Sequence, residues 1–168
     1  MTGPAEATLM RSLTLEALAS RSARIVVATA LESSSRWVEL GGRRRIVTDT
    51  RVRIEEGIAK QDSSDSEVMV RTLGGVVGEL GALVHGEAEL ALDEPCVVFL
   101  APRAADLHSV AGMAQGHYPL RTDPKRVLRL QPSPRAAELL GNEHSAVERL
   151  VNQELKVART RILEAVRR

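Results

Sequence analysis

Aromatic residues and cysteine are both scarce in this sequence. Aromatics make up 2% of the 168 residues and comprise Trp37, Phe99 and Tyr118, which leaves no material for a base-stacking platform or an aromatic-lined ligand cleft. Cys96 is the single cysteine, so an internal disulfide and a zinc site built from several cysteines are both excluded. The composition therefore argues against a nucleic-acid-binding protein and against a disulfide-stabilised domain.

An excess of one charge and a long apolar run are absent as well. Lys and Arg number 23 against 22 Asp and Glu, and the formal net charge of +1 gives no global attraction to nucleic acid or to an anionic membrane. No apolar stretch approaches the roughly 20 residues that cross a bilayer. The hydrophobic content of 43% suits one ordinary domain with a core of its own and no transmembrane segment.

The first 11 residues lack the basic and apolar regions of a signal peptide. The tripeptide Ala5-Glu6-Ala7 nevertheless has the A-x-A form that precedes a signal-peptidase cut. Two interpretations stay open for residues 1–11. They are the remnant of a trimmed leader, which predicts an exported protein in the periplasm or outside the cell, or they are the disordered N-terminus of a cytoplasmic protein.

Apolar and polar residues alternate for ten positions between Ile46 and Glu55, which predicts a strand with one core face and one solvated face. The apolar, β-branched residues 25–31 predict an earlier strand that is covered on both faces. Ser33-Ser34-Ser35 is interpreted as a break after that strand. Gly41-Gly42 then predicts a hairpin turn, because both glycines tolerate a positive φ.

Further local signals place the remaining elements before residue 131. Thr14 is expected to cap a helix of about two turns. Gly74 opens a glycine-rich excursion to which the sequence assigns no structure. Further strands are predicted at residues 67–72, at 95–101 up to Pro102, at 107–113 and at 127–130.

Two helices are predicted after the last strand. Ser133-Pro134 favours the start of a short helix over residues 135–140 that ends at Gly141. Ser145 and Glu148 form a capping box, and one continuous helix of about 30 Å is expected after it. Its apolar stripe comprises Val147, Val151, Leu155, Ala158, Ile162 and Val166.

The order of a helix, five or six strands and two helices predicts a mainly β protein. We expect an antiparallel, OB-like Greek-key β-barrel over residues 12–131, with the short N-terminal helix at its start. Residues 132–168 form a helical C-terminal extension in this interpretation.

Several segments resemble a widespread but poorly characterised family of exported bacterial and archaeal proteins. The resemblance covers roughly residues 12 to 123 and implies export and a barrel, without implying an activity. More remotely, the layout resembles the OB barrel of the netrin and tissue-inhibitor-of-metalloproteinases modules, although this chain has neither their N-terminal cysteine nor any cysteine pair. The segments are Leu13-Thr14-Leu15-Glu16-Ala17-Leu18, Ile25-Val26-Val27, Glu32-Ser33, Ser35-Arg36-Trp37, Ile46-Val47-Thr48, Val52-Arg53-Ile54-Glu55-Glu56, Arg71-Thr72-Leu73-Gly74-Gly75, Val97-Val98-Phe99-Leu100 and Gly112-Met113-Ala114-Gln115-Gly116.

Catalytic and cofactor motifs are not found. The glycine-rich run from Gly74 lacks the Lys-Ser/Thr ending of a phosphate loop and does not open a helix after a parallel strand. There is no Gly-x-Ser-x-Gly elbow, and the four histidines, at 85, 108, 117 and 144, lack metal-ligand spacing. We therefore predict no catalytic residue, no metal and no cofactor, and we expect Cys96 to be a buried core residue.

Two groups of residues are candidates for partner binding. Arg43, Arg44 and Arg45 form a basic knob at the hairpin turn. Arg51, Arg53 and Arg71 are expected to join it on exposed strand faces. The knob is either simply solvated or a contact for a polyanion. The stripe that includes Val151, Leu155 and Ile162 either packs on the barrel or is offered to another chain.

The expected function is that of a non-enzymatic, exported binding or structural module. It would act through protein–protein association, either with a partner protein or with a second copy through the C-terminal helix. The alternative is an inhibitor or regulator of an extracellular hydrolase, such as a protease.

Overall fold

A computed structural model describes residues 11–60, 64–104, 106–136 and 144–168. The short helix α1 spans Leu15–Ser20, and Thr14 caps it as expected, because its hydroxyl accepts a hydrogen bond from the Ala17 amide. A 3-10 turn occupies Met113–Gly116. The other elements are β1 Arg24–Leu40, β2 Arg43–Ala59, β3 Glu67–Leu73, β4 Gly75–Val77, β5 Leu80–Ala82, β6 Pro95–Ala104, β7 Leu107–Val110, β8 His117–Thr122, β9 Leu128–Leu130, α2 Ala146–Leu150 and α3 Leu155–Val166.

Seven of the strands form one sheet in the order β1-β2-β3-β7-β6-β8-β9. An additional pairing of β1 with β6 closes part of this sheet, so that β1, β2, β3, β7 and β6 form a ring. The chain is thus mainly β, as predicted. The expectation of a wholly antiparallel barrel is wrong at one place, because β3 and β7 are parallel and align Met69 with Leu107.

Strand β1 is buried on both faces within the ring, as its sequence predicts. Val26 and Val52 belong to an apolar cluster that also includes Val98 of β6. Ile25 and Phe99 belong to the other cluster, which the helices cover. The sheet therefore separates two cores, one inside the ring and one beneath the helices.

Strands β1 and β2 each have 17 residues and are joined at Gly41-Gly42, where both glycines have a positive φ as expected. The predicted break at Ser33-Ser34-Ser35 is wrong, because these residues continue β1 and pair with residues 48–50 of β2. The strand pairing satisfies the hydrogen-bonding groups of the backbone at these positions. It thereby outweighs the tendency of serine side chains to bond the local backbone and favour turns. The alternation along β2 holds from Thr50, which is 2% exposed, through Val52 to the exposed Arg53. It is wrong at Val47, which belongs to the predicted solvated face and is fully buried.

Strand β6 does not end at Pro102 but continues to Ala104. Its pairing with β1 stops at Leu100, so beyond that point β6 has only β7 as a neighbour. Proline is tolerated in a strand with one free side. Strand β7 in turn ends at Val110 rather than at Met113, where the chain enters the 3-10 turn.

The continuous C-terminal helix is also corrected. Helices α2 and α3 are separated by residues 151–154, where Val151 is extended and Asn152 has a φ of +64°. The break pairs with the end of β9, since the Asn152 amide donates to the Leu130 carbonyl at 2.8 Å and the Leu130 amide donates to the Gln153 carbonyl at 3.0 Å. These long-range bonds replace helical ones that the sequence pattern favours.

The Ser145 cap is confirmed, because its hydroxyl accepts from the Glu148 amide at 3.1 Å. The Glu148 carboxylate accepts from the His144 amide, one residue before the cap. Residues 137–143, which include most of the predicted 135–140 helix and Gly141, lie outside the described residues, as do residues 1–10.

Candidate functional site

The β1–β2 hairpin extends past the closed part of the sheet. Strand β1 pairs with β6 only over residues 24–29, and β2 pairs with β3 only over residues 47–53. Between Arg36 and Ile46 the sheet pairings join the two strands only to each other. We call this part, residues 36–46, the arginine hairpin.

Cross-strand register assigns the side chains of the arginine hairpin to two faces. Arg43 lies opposite Leu40 and Arg45 lies opposite Val38, so these four side chains share one face. Each arginine is exposed, and both aliphatic residues are only partly covered. This face therefore interleaves two cations with two apolar side chains.

The other face of the arginine hairpin carries its only aromatic residue. The guanidinium carbon of Arg44 lies 5.0 Å from the centre of the Trp37 ring, which is a cation–π distance. Trp37 is 39% exposed. Within the described parts of the chain, none of Arg43, Arg44 and Arg45 forms an ion pair with an acidic side chain.

Arg71 does not belong to this group, and its expected exposure is wrong. Its side chain is 11% exposed and that of Asp49 is 12% exposed. The guanidinium of Arg71 donates two hydrogen bonds to the Asp49 carboxylate, at 2.6 and 2.7 Å. These bonds, together with one from Arg36, lower the pKa of Asp49 below its usual range. Arg71 thus links β3 to β2 through an ion pair.

The apolar stripe of the C-terminal extension lies against the chain's own core. Ile162 is fully buried, and Val151 and Leu155 are partly buried against the same cluster. Ion pairs add to this packing, because Arg159 bonds both carboxylate oxygens of Glu56 on β2. The stripe is therefore covered within the chain. This corresponds to the first of the two alternatives, in which the stripe packs on its own chain.

A cleft that the sequence analysis missed lies between the inner face of β1–β3 and the β4–β5 hairpin. Its volume is about 600 Å³. Hydroxyl side chains at alternate positions of β1 and β2, with one more from β3, line it, and this alternation was the signal available in the sequence. We call it the hydroxyl cleft, and these side chains are Ser33, Ser35, Thr48, Thr50 and Thr72.

The β4–β5 hairpin is fastened to the sheet through two of these hydroxyls. Thr48 donates to the Gly74 carbonyl at 2.8 Å, and Ser35 lies 2.9 Å from the Thr48 oxygen. Because the one hydroxyl proton of Thr48 is used on Gly74, Ser35 is the donor to Thr48. Gly75 sits directly on this pair, since a Cβ there would lie 2.4 Å from both hydroxyl oxygens.

Glu87 is the buried acid of the hydroxyl cleft, at 8% exposure. Its carboxylate accepts from the Leu73 amide at 3.0 Å and from the Ala88 amide at 2.9 Å. Burial raises the pKa of Glu87, and the two amide hydrogen bonds oppose part of that rise. The described residues provide no ion-pair partner for this carboxylate.

Two further side chains of reactive type, Cys96 and His117, are buried away from solvent. Cys96 is buried as predicted, and burial raises the pKa of its thiol to about 12. His117 is buried, and the loss of hydration lowers its pKa to about 4. Its Nδ1 lies 2.9 Å from the Ser133 hydroxyl. In the regions that the structure covers, no group of three or more His, Cys, Asp or Glu could hold a metal ion.

Comparison with known proteins gives no family assignment. No protein-family model matches the chain, and no curated protein matches it. Of the helices that can be described, none combines the length and the apolar character that crossing a bilayer requires.

Proposed function

We propose that this protein is a non-enzymatic, exported binding module that acts through protein–protein association at the arginine hairpin. The partner in this proposal is an acidic protein surface. The proposal rests on one observation: a two-stranded ribbon leaves the ring and carries three exposed arginines, Arg43, Arg44 and Arg45. None of them forms an ion pair among the described residues, and Glu39, which lies opposite Arg44, is not within ion-pair distance of it.

The chemistry of the ribbon favours a protein partner over a simple polyanion. Val38 and Leu40 lie between the arginines on one face and supply apolar area, which contributes to protein interfaces. Trp37 and Arg44 on the other face are residue types that frequently dominate interface energies. Because the net charge is only +1, attraction of an acidic partner depends on this local group rather than on the whole protein.

We propose further that the ring of strands is an OB-like barrel. Around the ring the strands follow the order β1-β2-β3-β7-β6, so β7 lies next to β3 although β6 precedes it in the chain. The parallel pair of the ring is β3 with β7. This order supports an OB-like arrangement, in which the turn between the first two strands is a frequent binding loop. The arginine hairpin occupies that position.

Export is proposed on the sequence alone. The Ala5-Glu6-Ala7 cleavage pattern and the resemblance of residues 12 to 123 to exported bacterial and archaeal proteins support it. Fractionation of cells that express the intact gene tests it directly. Recovery in the periplasm or medium is expected, whereas recovery in the cytosol would contradict export.

The association is tested by charge reversal of the hairpin. The full chain, with a photoreactive cross-linker in place of Leu40, is expressed in its native cells and compared with the same protein carrying Arg43→Glu, Arg44→Glu and Arg45→Glu. We expect an acidic protein to be cross-linked to the first and not to the second. The matched control reverses three exposed arginines elsewhere, Arg126, Arg167 and Arg168, and should keep the cross-link.

The outcome with the control decides between a local site and general charge. Equal loss of the cross-link in both triple variants would contradict the hairpin site, because it would show that only net charge matters. If the cross-linked partner is an extracellular hydrolase whose activity falls in the complex, the module is a regulator of that enzyme. A hydrolase partner with unchanged activity would exclude this alternative function.

A further inference from the structure

The hydroxyl cleft has the size of a small-molecule site and is separate from the arginine hairpin's exposed tip. Its volume of about 600 Å³ falls within the range of roughly 300 to 1,000 Å³ that is typical of ligand pockets. Three strands supply its floor, and the backbone from Gly74 to Val76 and from Gly81 to Val84 forms its other side. The floor of the cleft is therefore regular, hydrogen-bonded structure, whereas the lining residues between Leu83 and Leu90 lie outside helices and strands.

The floor of the cleft is an ordered array of hydroxyls. Ser35, Thr48 and Thr72 lie directly opposite one another on three neighbouring strands. Ser33 and Thr50 are paired in the next row. Neighbouring strands are about 4.8 Å apart, so the array offers repeated donors and acceptors at short spacing.

Part of this array is available to a ligand. Ser35 and Thr48 are committed to each other and to Gly74. The hydroxyls of Ser33, Thr50 and Thr72 make no hydrogen bond to another described residue, although Thr50 is only 2% exposed. The Thr50 oxygen is not among the side-chain atoms that are both buried and unpaired, so this hydroxyl remains within reach of solvent or of a small polar ligand.

Glu87 adds a strong acceptor to the same wall. Two backbone amides hold its carboxylate in one orientation and each uses one lone pair of an oxygen. A carboxylate has about four acceptor sites, so capacity remains for hydroxyl donors. Arg135 also lines the cleft, but its guanidinium lies 3.4 Å from the Glu89 carboxylate and is thereby compensated.

These features select the ligand class. Anions are disfavoured because the cleft has a buried carboxylate and a compensated arginine. A wholly apolar ligand is disfavoured because hydroxyls line the floor and Glu87 adds a carboxylate beside them, while Leu73, Val84 and Leu90 supply some apolar contact area. We propose that the hydroxyl cleft binds a neutral saccharide unit, whose hydroxyl groups donate to Glu87 and exchange hydrogen bonds with Thr50, Thr72 and Ser33.

The side chains that line the cleft determine how tightly a sugar is expected to bind. No aromatic residue lines the cleft, so the sugar is held by hydrogen bonds without ring stacking. Each such bond contributes only about 0.5 to 1.5 kcal/mol net. Millimolar dissociation constants are therefore expected, in the range that NMR titration measures well.

The test is a titration of the full chain with cellobiose, maltose and N,N′-diacetylchitobiose, followed by backbone amide shifts. We expect saturable binding of at least one of these neutral sugars, with shifts at residues 72–76 and 87–88. Thr50→Val and Glu87→Gln should each weaken it about threefold to tenfold. The matched pair Ser33→Ala and Ser34→Ala separates the cleft from the outer face, because Ser34 does not line the cleft and should have no effect.

Three results would overturn the proposal. The first is a folded wild-type protein that binds none of the three sugars at millimolar concentration. The second is binding that all the cleft variants leave unchanged. The third is tighter binding of glucosamine or glucuronate than of every neutral sugar. If Thr50→Val fails to fold, the Ser33→Ala variant, at an exposed position, and the positions of the amide shifts show whether the sugar binds in the hydroxyl cleft.

Discussion

Asp49 and Arg71 face each other across strands β2 and β3 and form a two-point ion pair that water barely reaches. The two hydrogen bonds measure 2.6 and 2.7 Å, and the side chains are 12% and 11% exposed. A third residue, Arg36, donates to the same carboxylate at 3.1 Å from an exposed position. The Asp49–Arg71 pair therefore connects two strands of the ring. The two arginines that bond Asp49, Arg71 and Arg36, differ mainly in burial.

Removal of the buried arginine should cost more than removal of the exposed one. Arg71→Ala leaves the Asp49 charge half-compensated in the barrel wall and should lower the free energy of unfolding by about 2 kcal/mol, against less than about 1 kcal/mol for Arg36→Ala. Because the pKa of Asp49 is lowered in the folded state, the contribution is full above the ordinary carboxyl pKa and is lost as pH falls through the folded value. Urea unfolding at neutral and acidic pH measures both effects, and equal costs for the two variants would contradict the burial argument.

The alternation of β2 predicts opposite sensitivities at neighbouring positions. Val52 is 1% exposed inside the ring, so Val52→Thr places a hydroxyl there and should cost about 1 to 3 kcal/mol. Arg53 is exposed and forms an ion pair with the similarly accessible Glu55, so Arg53→Thr should cost less than about 1 kcal/mol. The melting temperatures of the two variants test this prediction, and equal decreases would contradict the assignment of the two faces.

The C-terminal extension should stabilise the chain rather than assemble it. Ile162→Ala empties a fully buried position and should cost about 2 to 5 kcal/mol, whereas Val157→Ala, at 37% exposure, should cost less than about 1 kcal/mol. Denaturant unfolding measures the first effect and light scattering measures the mass of each variant. A lower mass for Ile162→Ala with unchanged stability would show that the stripe serves self-association instead.

His117 should make the protein less stable as the pH falls. Its pKa is lowered to about 4 by burial, so between about pH 6.5 and 4 the unfolded chain binds a proton that the folded chain does not. The stability lost over this window is roughly 3 kcal/mol. His117→Gln should flatten the pH profile there. A His117 imidazole that titrates near pH 6.5 by NMR would disprove the prediction.

Gly75 should be intolerant of any side chain. Gly75→Ala places a Cβ 2.4 Å from the hydroxyl oxygens of Ser35 and Thr48 at a φ of +130°, so a cost above about 2 kcal/mol is expected. Gly78→Ala meets no atom within 4 Å at a φ of +60° and should cost only about 1 kcal/mol. Thermal melts of the two variants give the comparison, and equal losses would mean that β4 does not pack on this hydroxyl pair.

Local signals in the sequence were sufficient wherever the relevant partners lie within a few residues. The caps at Thr14 and Ser145 each use a bond to an amide three residues ahead. The turn at Gly41-Gly42 requires only positive φ. Such features depend on short-range geometry, which the amino-acid order determines directly.

Predictions were wrong where distant segments decide the outcome. Ser33-Ser34-Ser35 indicated a break, yet pairing with β2 keeps it in a strand. The stripe after Ser145 indicated one helix, yet bonds to Leu130 break it at residues 151–154. In both places a long-range backbone partner outweighs a local preference of a few tenths of a kcal/mol per residue.

The sequence by itself determined the mainly β character, the two-sided burial of β1 and the exposure of Arg43, Arg44 and Arg45, because periodicity and turn chemistry are local properties. Only the tertiary structure decided that Arg71 turns to Asp49 instead of to solvent, and that hydroxyls from β1, β2 and β3 meet in one cleft with Glu87. These outcomes depend on strand register and on ring closure between β1 and β6, which bring together residues dozens of positions apart in the chain.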